Sequence, residues 1–192
     1  MSFQLRTLPL AHDWLRQVIQ PGDTVIDGTV GNGHDTLFLA QHVGAEGRVH
    51  GFDIQPAAAE TTARLLNEHH LSAPVTLHTA CHSRMADYLE PQPIAAAMFN
   101  LGYLPRGDKS IITQQETTLP ALDYSLRLLR LQGLLTIMCY PGHEGGDSEA
   151  SAVEEWARAL SSDTYRVMRL TPHNPRSAAP FLLAIQRYRQ DT

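Results

Sequence analysis

Val25-Ile-Asp-Gly-Thr-Val-Gly-Asn-Gly-His-Asp35 reads as the end of a short buried strand, a glycine-rich turn and the start of a helix. The strand is expected over residues 24–27 and the helix from about residue 35. Gly28, Gly31 and Gly33 have no Cβ and tolerate positive φ, so a ligand can approach the backbone closely. The N–H groups that open the helix then face that ligand. The spacing is G-x-x-G-x-G, whereas dinucleotide-binding turns read G-x-G-x-x-G. Asp27 closes the strand directly before the glycines. A carboxylate there suits a ligand with a cationic amino-acid tail better than one with a pyrophosphate. S-adenosylmethionine is such a ligand, and it is the expected cofactor.

Working outward, residues 36–42 continue the helix, and Arg48-Val-His-Gly-Phe-Asp-Ile54 reads as the second strand, ending at Asp53. A ribose-binding acid is expected roughly 20 residues beyond a glycine turn of this kind, and Asp53 stands near that distance. The competing reading is a turn that merely packs a helix on a strand, with Asp53 capping the next helix. It requires two independent features to coincide.

The rest of the chain keeps alternating. Residues 10–19 have helical spacing and stop at Pro21-Gly22. Pro56 suits a helix start, with the helix running to about residue 70. Strands are expected over residues 74–79, 94–100, 133–140, 165–170 and 181–188, and helices over 111–131 and 147–160. Alternation of this kind predicts a mostly parallel, seven-stranded sheet with helices on both faces. The expected fold is therefore α/β and Rossmann-like, of the class I methyltransferase type, with one domain over residues 1–192.

Composition narrows the function classes. At 192 residues, 43% hydrophobic and 18% charged, the chain fits a globular protein. No window holds the ~18 uninterrupted apolar residues of a membrane span, and the N-terminus has no signal-peptide pattern, so a cytoplasmic address is expected. Cys81 and Cys139 stand alone, which predicts neither a disulfide framework nor a metal site. The net charge is −5 and Lys109 is the single lysine, which argues against a protein that coats nucleic acid. A local patch for an RNA substrate remains compatible with it.

In an open parallel sheet, the residues that end strands surround the ligand. The third strand ends in Ala80-Cys-His-Ser-Arg84, which puts His82 and Ser83 where an adenine ring would lie. The fourth ends in Asn100-Leu-Gly-Tyr103, similar to the Asn/Asp-Pro-Pro-Tyr turn of methyltransferases that act on amino groups. The Asn100 amide oxygen can accept from an amine N–H, and Tyr103 offers an aromatic face to a base or a sulfonium. The bland alternative is an ordinary turn with Tyr103 as packing. Beyond it, Arg106 and Lys109 can meet a phosphate, and Ser110 or Thr113 can cap the next helix. His143, in the loop Tyr140-Pro-Gly-His-Glu-Gly-Gly146, is a candidate general base, although a lone loop histidine is more often solvated.

With these motifs assembled, the chain resembles a family of class I methyltransferases long labelled putative rRNA methylases, now associated with methylating the aminomethyl group of tRNA wobble uridine. The matching runs are residues 26–39, Phe52-Asp-Ile-Gln55, residues 99–110, Gly142-His-Glu-Gly-Gly146 and Pro180-Phe-Leu-Leu-Ala-Ile185. The resemblance implies that Asn32 and Asp35 hold the methionine end of the cofactor and that Asp53 and Gln55 hold the ribose. It implies His82 and Ser83 beside the adenine, Asn100 and Tyr103 facing the amine, and Arg106, Lys109 and His143 near the RNA. Asp27, Gly31 and Gly33 complete the expected cofactor site. tRNA is the implied partner and a homodimer the implied assembly, with methylation of rRNA or of a small amine as the alternative. Family members often carry His where Pro141 stands and some carry Asp where Ser83 stands, and residues 173–180 form a longer segment than is usual there.

Overall fold

The computed structural model describes residues 6–103, 111–142, 145–175 and 178–189. In order, the chain forms α1 (Thr7–Val18), β1 (Thr24–Asp27), α2 (His34–Val43), β2 (Arg48–Asp53), α3 (Pro56–Glu68) and β3 (Val75–Thr79). A 3-10 helix (His82–Asp87) leads to β4 (Ile94–Asn100), α4 (Gln115–Leu128), β5 (Leu129–Cys139), α5 (Gly146–Ala159), β6 (Tyr165–Leu170) and β7 (Phe181–Arg187). The sheet order is β3-β2-β1-β4-β5-β7-β6. β1 to β5 run parallel, and β7 runs antiparallel to both β5 and β6. This is the Rossmann-like methyltransferase sheet.

Both faces are covered, which is why β4 reads as an almost unbroken apolar run and is buried along it. Strand alternation then sorts the core. Val25 packs with Leu15, Phe38, Leu39 and Leu66, on the face covered by α1, α2 and α3. Its neighbour Ile26 packs with Leu122 and Val153, on the face covered by α4 and α5. Chain order reverses at β1, with β2 and β3 on one side and β4 and β5 on the other. The crevice outside the carboxyl ends of β1 and β4 is therefore where a ligand is expected.

Several boundaries differ from the sequence expectation: α1 starts at Thr7 rather than residue 10, and the larger differences lie at the two ends of α4. The helix expected over 111–131 spans only Gln115–Leu128. Its expected first turn is extended instead, because Ile112 pairs with Tyr103 and the Thr113 N–H donates to Gly102 O at 2.8 Å. At the other end the leucine spacing fits both periods, and Leu129 already pairs with Ile94 in β5. The register then shifts, and Gln132 takes a left-handed φ of 65°. Among the described residues, no helix is long and apolar enough to cross a membrane.

A left-handed residue other than glycine costs ~1–2 kcal/mol, partly offset by the unfolded-state entropy that a glycine adds. Gln132→Gly is therefore expected to stabilise the fold by up to about 1 kcal/mol, read as a higher urea midpoint with unchanged slope. A lowered midpoint would show that the bulge is not strained.

Candidate active site

The site is built on the junction of β1 and β4. The Gly28 N–H donates to Met98 O at 2.8 Å, which extends the ladder beyond Asp27. A Cβ on Gly28 would stand 2.1 Å from Phe99 Cε1, so the Phe99 ring occupies the space that any side chain would need. Gly31 and Gly33 take φ of 53° and 81°, as the turn requires. β2 fastens the turn, because Asp53 accepts from the Gly31 N–H and from the Gln55 N–H, each at 2.9 Å.

These ends enclose a cavity of about 600 Å³. Of the candidate site residues, Gly31, Asn32, Asp35, Asp53, Gln55, His82, Asn100 and Tyr103 line it. Asp27, Gly33 and Ser83 do not. Gly33 instead lets α2 approach α3, where a Cβ would meet Thr62 Oγ1 at 2.5 Å. The Ser83 hydroxyl donates to Cys81 Sγ at 3.1 Å. Arg106, Lys109 and His143 lie outside the described residues. Among the described residues no group of His, Cys, Asp and Glu is arranged to hold a metal ion.

Asp27 sits beneath the cavity rather than on its wall, and is buried. It accepts from the Thr36 hydroxyl at 2.6 Å and the Thr29 N–H at 3.1 Å. Burial first, and then the neighbouring Asp35 charge, push its carboxyl up from 3.8 to about 7. An acidic strand end thus serves as an internal brace for the turn. Sequence alone does not separate that role from a ligand contact, because both need a carboxylate at the same point.

Two cavity residues hold buried polar atoms without a partner among the described residues. His82 donates from Nδ1 to Gly28 O at 3.1 Å, which leaves Nε2 as a buried, unpartnered acceptor. Burial holds its pKa below the usual histidine value, so the ring is neutral. At the end of β4, the Asn100 N–H donates to Thr29 Oγ1 at 2.7 Å, and the Asn100 side-chain NH₂ donates to Asp35 Oδ2. Asn100 Oδ1 is left buried and unpartnered. A buried polar atom with no partner is costly, so each marks a place where a ligand can complete the bonding.

Other parts of the site were not legible in the sequence. Thr113, a candidate helix cap, instead accepts from the Gly102 N–H at 2.7 Å and donates to the buried Glu149 at 2.6 Å. Glu149 also accepts from Thr118 at 2.6 Å, so α5 holds the turn after β4 in place. Leu8 from α1 and Tyr140 after β5 complete the wall. Tyr140 directly follows the end of a strand, a signal that could have found it; Leu8 carries no local signal. His12 on α1 bonds through Nε2 to Asp35 Oδ1 at 2.7 Å.

Residues 49–186 match the family described as Putative rRNA methylase. The chain is 44% identical over 160 residues to the chloroplastic tRNA (mnm(5)s(2)U34)-methyltransferase of Arabidopsis thaliana, a match that covers 79% of this chain and 58% of that protein. The chain thus spans less than two thirds of that relative's length. It is similar to the crystal structure of a putative rRNA-methylase from Clostridium thermocellum, with 39% identity, a TM-score of 0.93, and 96% and 100% of the two chains covered. A putative methyltransferase from Streptococcus mutans, solved in complex with SAH, has 37% identity, a TM-score of 0.88 and coverage of 96% and 99%.

The state of Asp27 yields a stability prediction. A carboxyl that holds its proton more tightly folded than unfolded costs the fold nothing below its unfolded value of 3.8 and most above about 7. Stability is therefore expected to fall as the buffer is raised from about pH 4 to 8, and Asp27→Asn is expected to flatten that slope. Urea midpoints across the range measure it. An equal slope in the variant would place the titration elsewhere.

Proposed function

The chain belongs to the Putative rRNA methylase family, and on that premise we propose that it is an S-adenosylmethionine-dependent N-methyltransferase acting on the aminomethyl group of tRNA wobble uridine. The product would be 5-methylaminomethyl-2-thiouridine, formed from 5-aminomethyl-2-thiouridine. One observation carries the chemistry: Asn100 Oδ1 is a buried acceptor without a partner at the end of β4, suited to receive an amine N–H. The choice of tRNA rests on the likeness to the chloroplastic relative.

The donor set fits the cofactor. Gly31 and Asn32, at the start of α2, suit its methionine end, and the Asp53 and Gln55 side chains suit the ribose hydroxyls. His82 Nε2 is a buried acceptor, the complement of an adenine amino group. Asp27 acts by holding the turn, Gly33 by letting α2 approach α3, and Ser83 through its hydrogen bond to Cys81. When bound, the cofactor supplies a methyl group activated by an adjacent sulfonium.

The chain's own residues supply position and proton control. Methyl transfer requires an in-line approach, so orientation dominates. A primary alkylamine is largely protonated at neutral pH and must lose a proton before it attacks. The apolar wall formed by Phe52, Ile54, Leu101 and Ile112 works against the ammonium form by desolvation, while the nearby Asp35 and Asp53 carboxylates work for it, so a proton acceptor is needed. Asn100 accepts an N–H but cannot take the proton; His143 is our candidate to receive it. Tyr103, 42% exposed at the rim, offers its ring to the base. Arg106 and Lys109 would meet RNA phosphates. The reading includes a cytoplasmic homodimer whose paired arginines form one RNA surface. A net charge of −5 favours a second reading, methyl transfer to a small amine; rRNA is the remaining polynucleotide alternative.

Nucleoside mass spectrometry of bulk tRNA from cells with and without the gene tests the proposal. Cells without it are expected to accumulate 5-aminomethyl-2-thiouridine, and purified protein with S-adenosylmethionine should methylate it. An identical nucleoside profile in both would remove tRNA wobble uridine as the substrate.

A further inference from the structure

Asn100 can place either its oxygen or its NH₂ group toward the substrate, and only the oxygen orientation accepts an amine N–H. Asp35 decides between them. A carboxylate only accepts, so the Asn100 NH₂ must turn toward Asp35 Oδ2, and Oδ1 is left free. The remaining question is what holds the Asp35 carboxylate at that angle. His12 does so, from α1 and 23 positions away in sequence, through Nε2 to Oδ1 at 2.7 Å. Both side chains are mostly shielded, with 24% and 14% exposure for His12 and Asp35.

His12 is itself fixed on its far side. Its ring stacks on Phe38 at 4.1 Å and 7° between planes. Phe38 is also flanked by the His42 ring at 4.3 Å and by the Arg16 guanidinium at 5.7 Å, and His42 Nδ1 donates to Phe38 O at 2.7 Å. α1 is seated on the sheet by the fully buried Ala11 and Leu15. One turn before His12, Leu8 forms part of the cavity wall. The N-terminal helix thus reaches, through His12 in its middle, a carboxylate in the site.

We propose that His12 is a positioning residue for methyl transfer: by clamping Asp35 it fixes the Asn100 amide with Oδ1 toward the substrate amine. This assigns Asp35 to Asn100 rather than to the methionine end of the cofactor. The inference rests on the amine-methylating reading above. His12 touches neither ligand and acts through two others. Loss of the clamp is therefore expected to lower the rate of transfer and to spare cofactor affinity.

Two variants test it. His12→Phe keeps a ring on Phe38 and removes the bond; His12→Gln keeps an N–H donor at a similar reach. His12→Phe is expected to lose at least about tenfold in kcat, as small misplacements of reacting groups do, with the melting temperature and SAH affinity by calorimetry near wild type. His12→Gln is expected to recover most of that loss. The side-chain amide resonances of Asn100, assigned by their absence in Asn100→Ala, should move in His12→Phe and return toward wild type in His12→Gln. A wild-type kcat in His12→Phe, a His12→Gln as slow as His12→Phe, or unmoved Asn100 resonances would each overturn the proposal. If the wild type does not methylate the wobble nucleoside but the resonances move as stated, the substrate reading fails and the clamp stands.

Discussion

The carboxyl ends of β1 and β4 are pinned side by side, and the site depends on that pairing. Two bonds extend it past the strands: the Gly28 N–H to Met98 O at 2.8 Å, and the Asn100 N–H to Thr29 Oγ1 at 2.7 Å. Phe99 fills the space above Gly28, so the two backbones meet where no side chain on residue 28 could fit. The consequence is chemical as well as structural. The residue after Phe99 must emerge at the mouth of the glycine turn, and that residue is Asn100, next to Asp35 at the start of α2.

Asp27, Asp35 and Asp53 crowd around one turn, and the fold gives each a different task. Asp27 is buried and pushed up to about 7, so near neutrality it is partly neutral and braces Thr36 and Thr29. Asp53 is bound by two backbone amides and ties the turn to β2. Asp35 spends one oxygen on His12 and the other on Asn100. The acidic side chains that line the cavity are thus Asp35 and Asp53. A cationic ligand suits that arrangement, which agrees with the first reading of the sequence, although the carboxylate that prompted it lies below the wall.

What the sequence made legible was local. A strand, a glycine turn, a helix and a strand-end asparagine are each written in a handful of adjacent residues, and all appear near the expected positions. The errors lie where tertiary contact overrides local pattern. Residues 111–113 are extended because Ile112 meets Tyr103, and β5 starts at Leu129 because Ile94 is there to pair with it. The 3-10 helix at His82–Asp87 has no apolar period of its own, and it presents Met85 to the core. His12 was hidden for the same reason: nothing near it in sequence indicates Asp35. Asn100 was visible in the sequence, but its amide orientation was not, since only Asp35 sets it.

The claim on which this account turns is that Asn100 Oδ1 orients the amine and does not hold the cofactor. The direct measurement is single-turnover methyl transfer by Asn100→Ala beside its SAH affinity by calorimetry. The account predicts that transfer falls by about 100-fold or more while SAH binds as in wild type, the pattern of a group that acts on the reacting amine. Transfer at the wild-type rate, or a loss matched by an equal loss of SAH affinity, would contradict it.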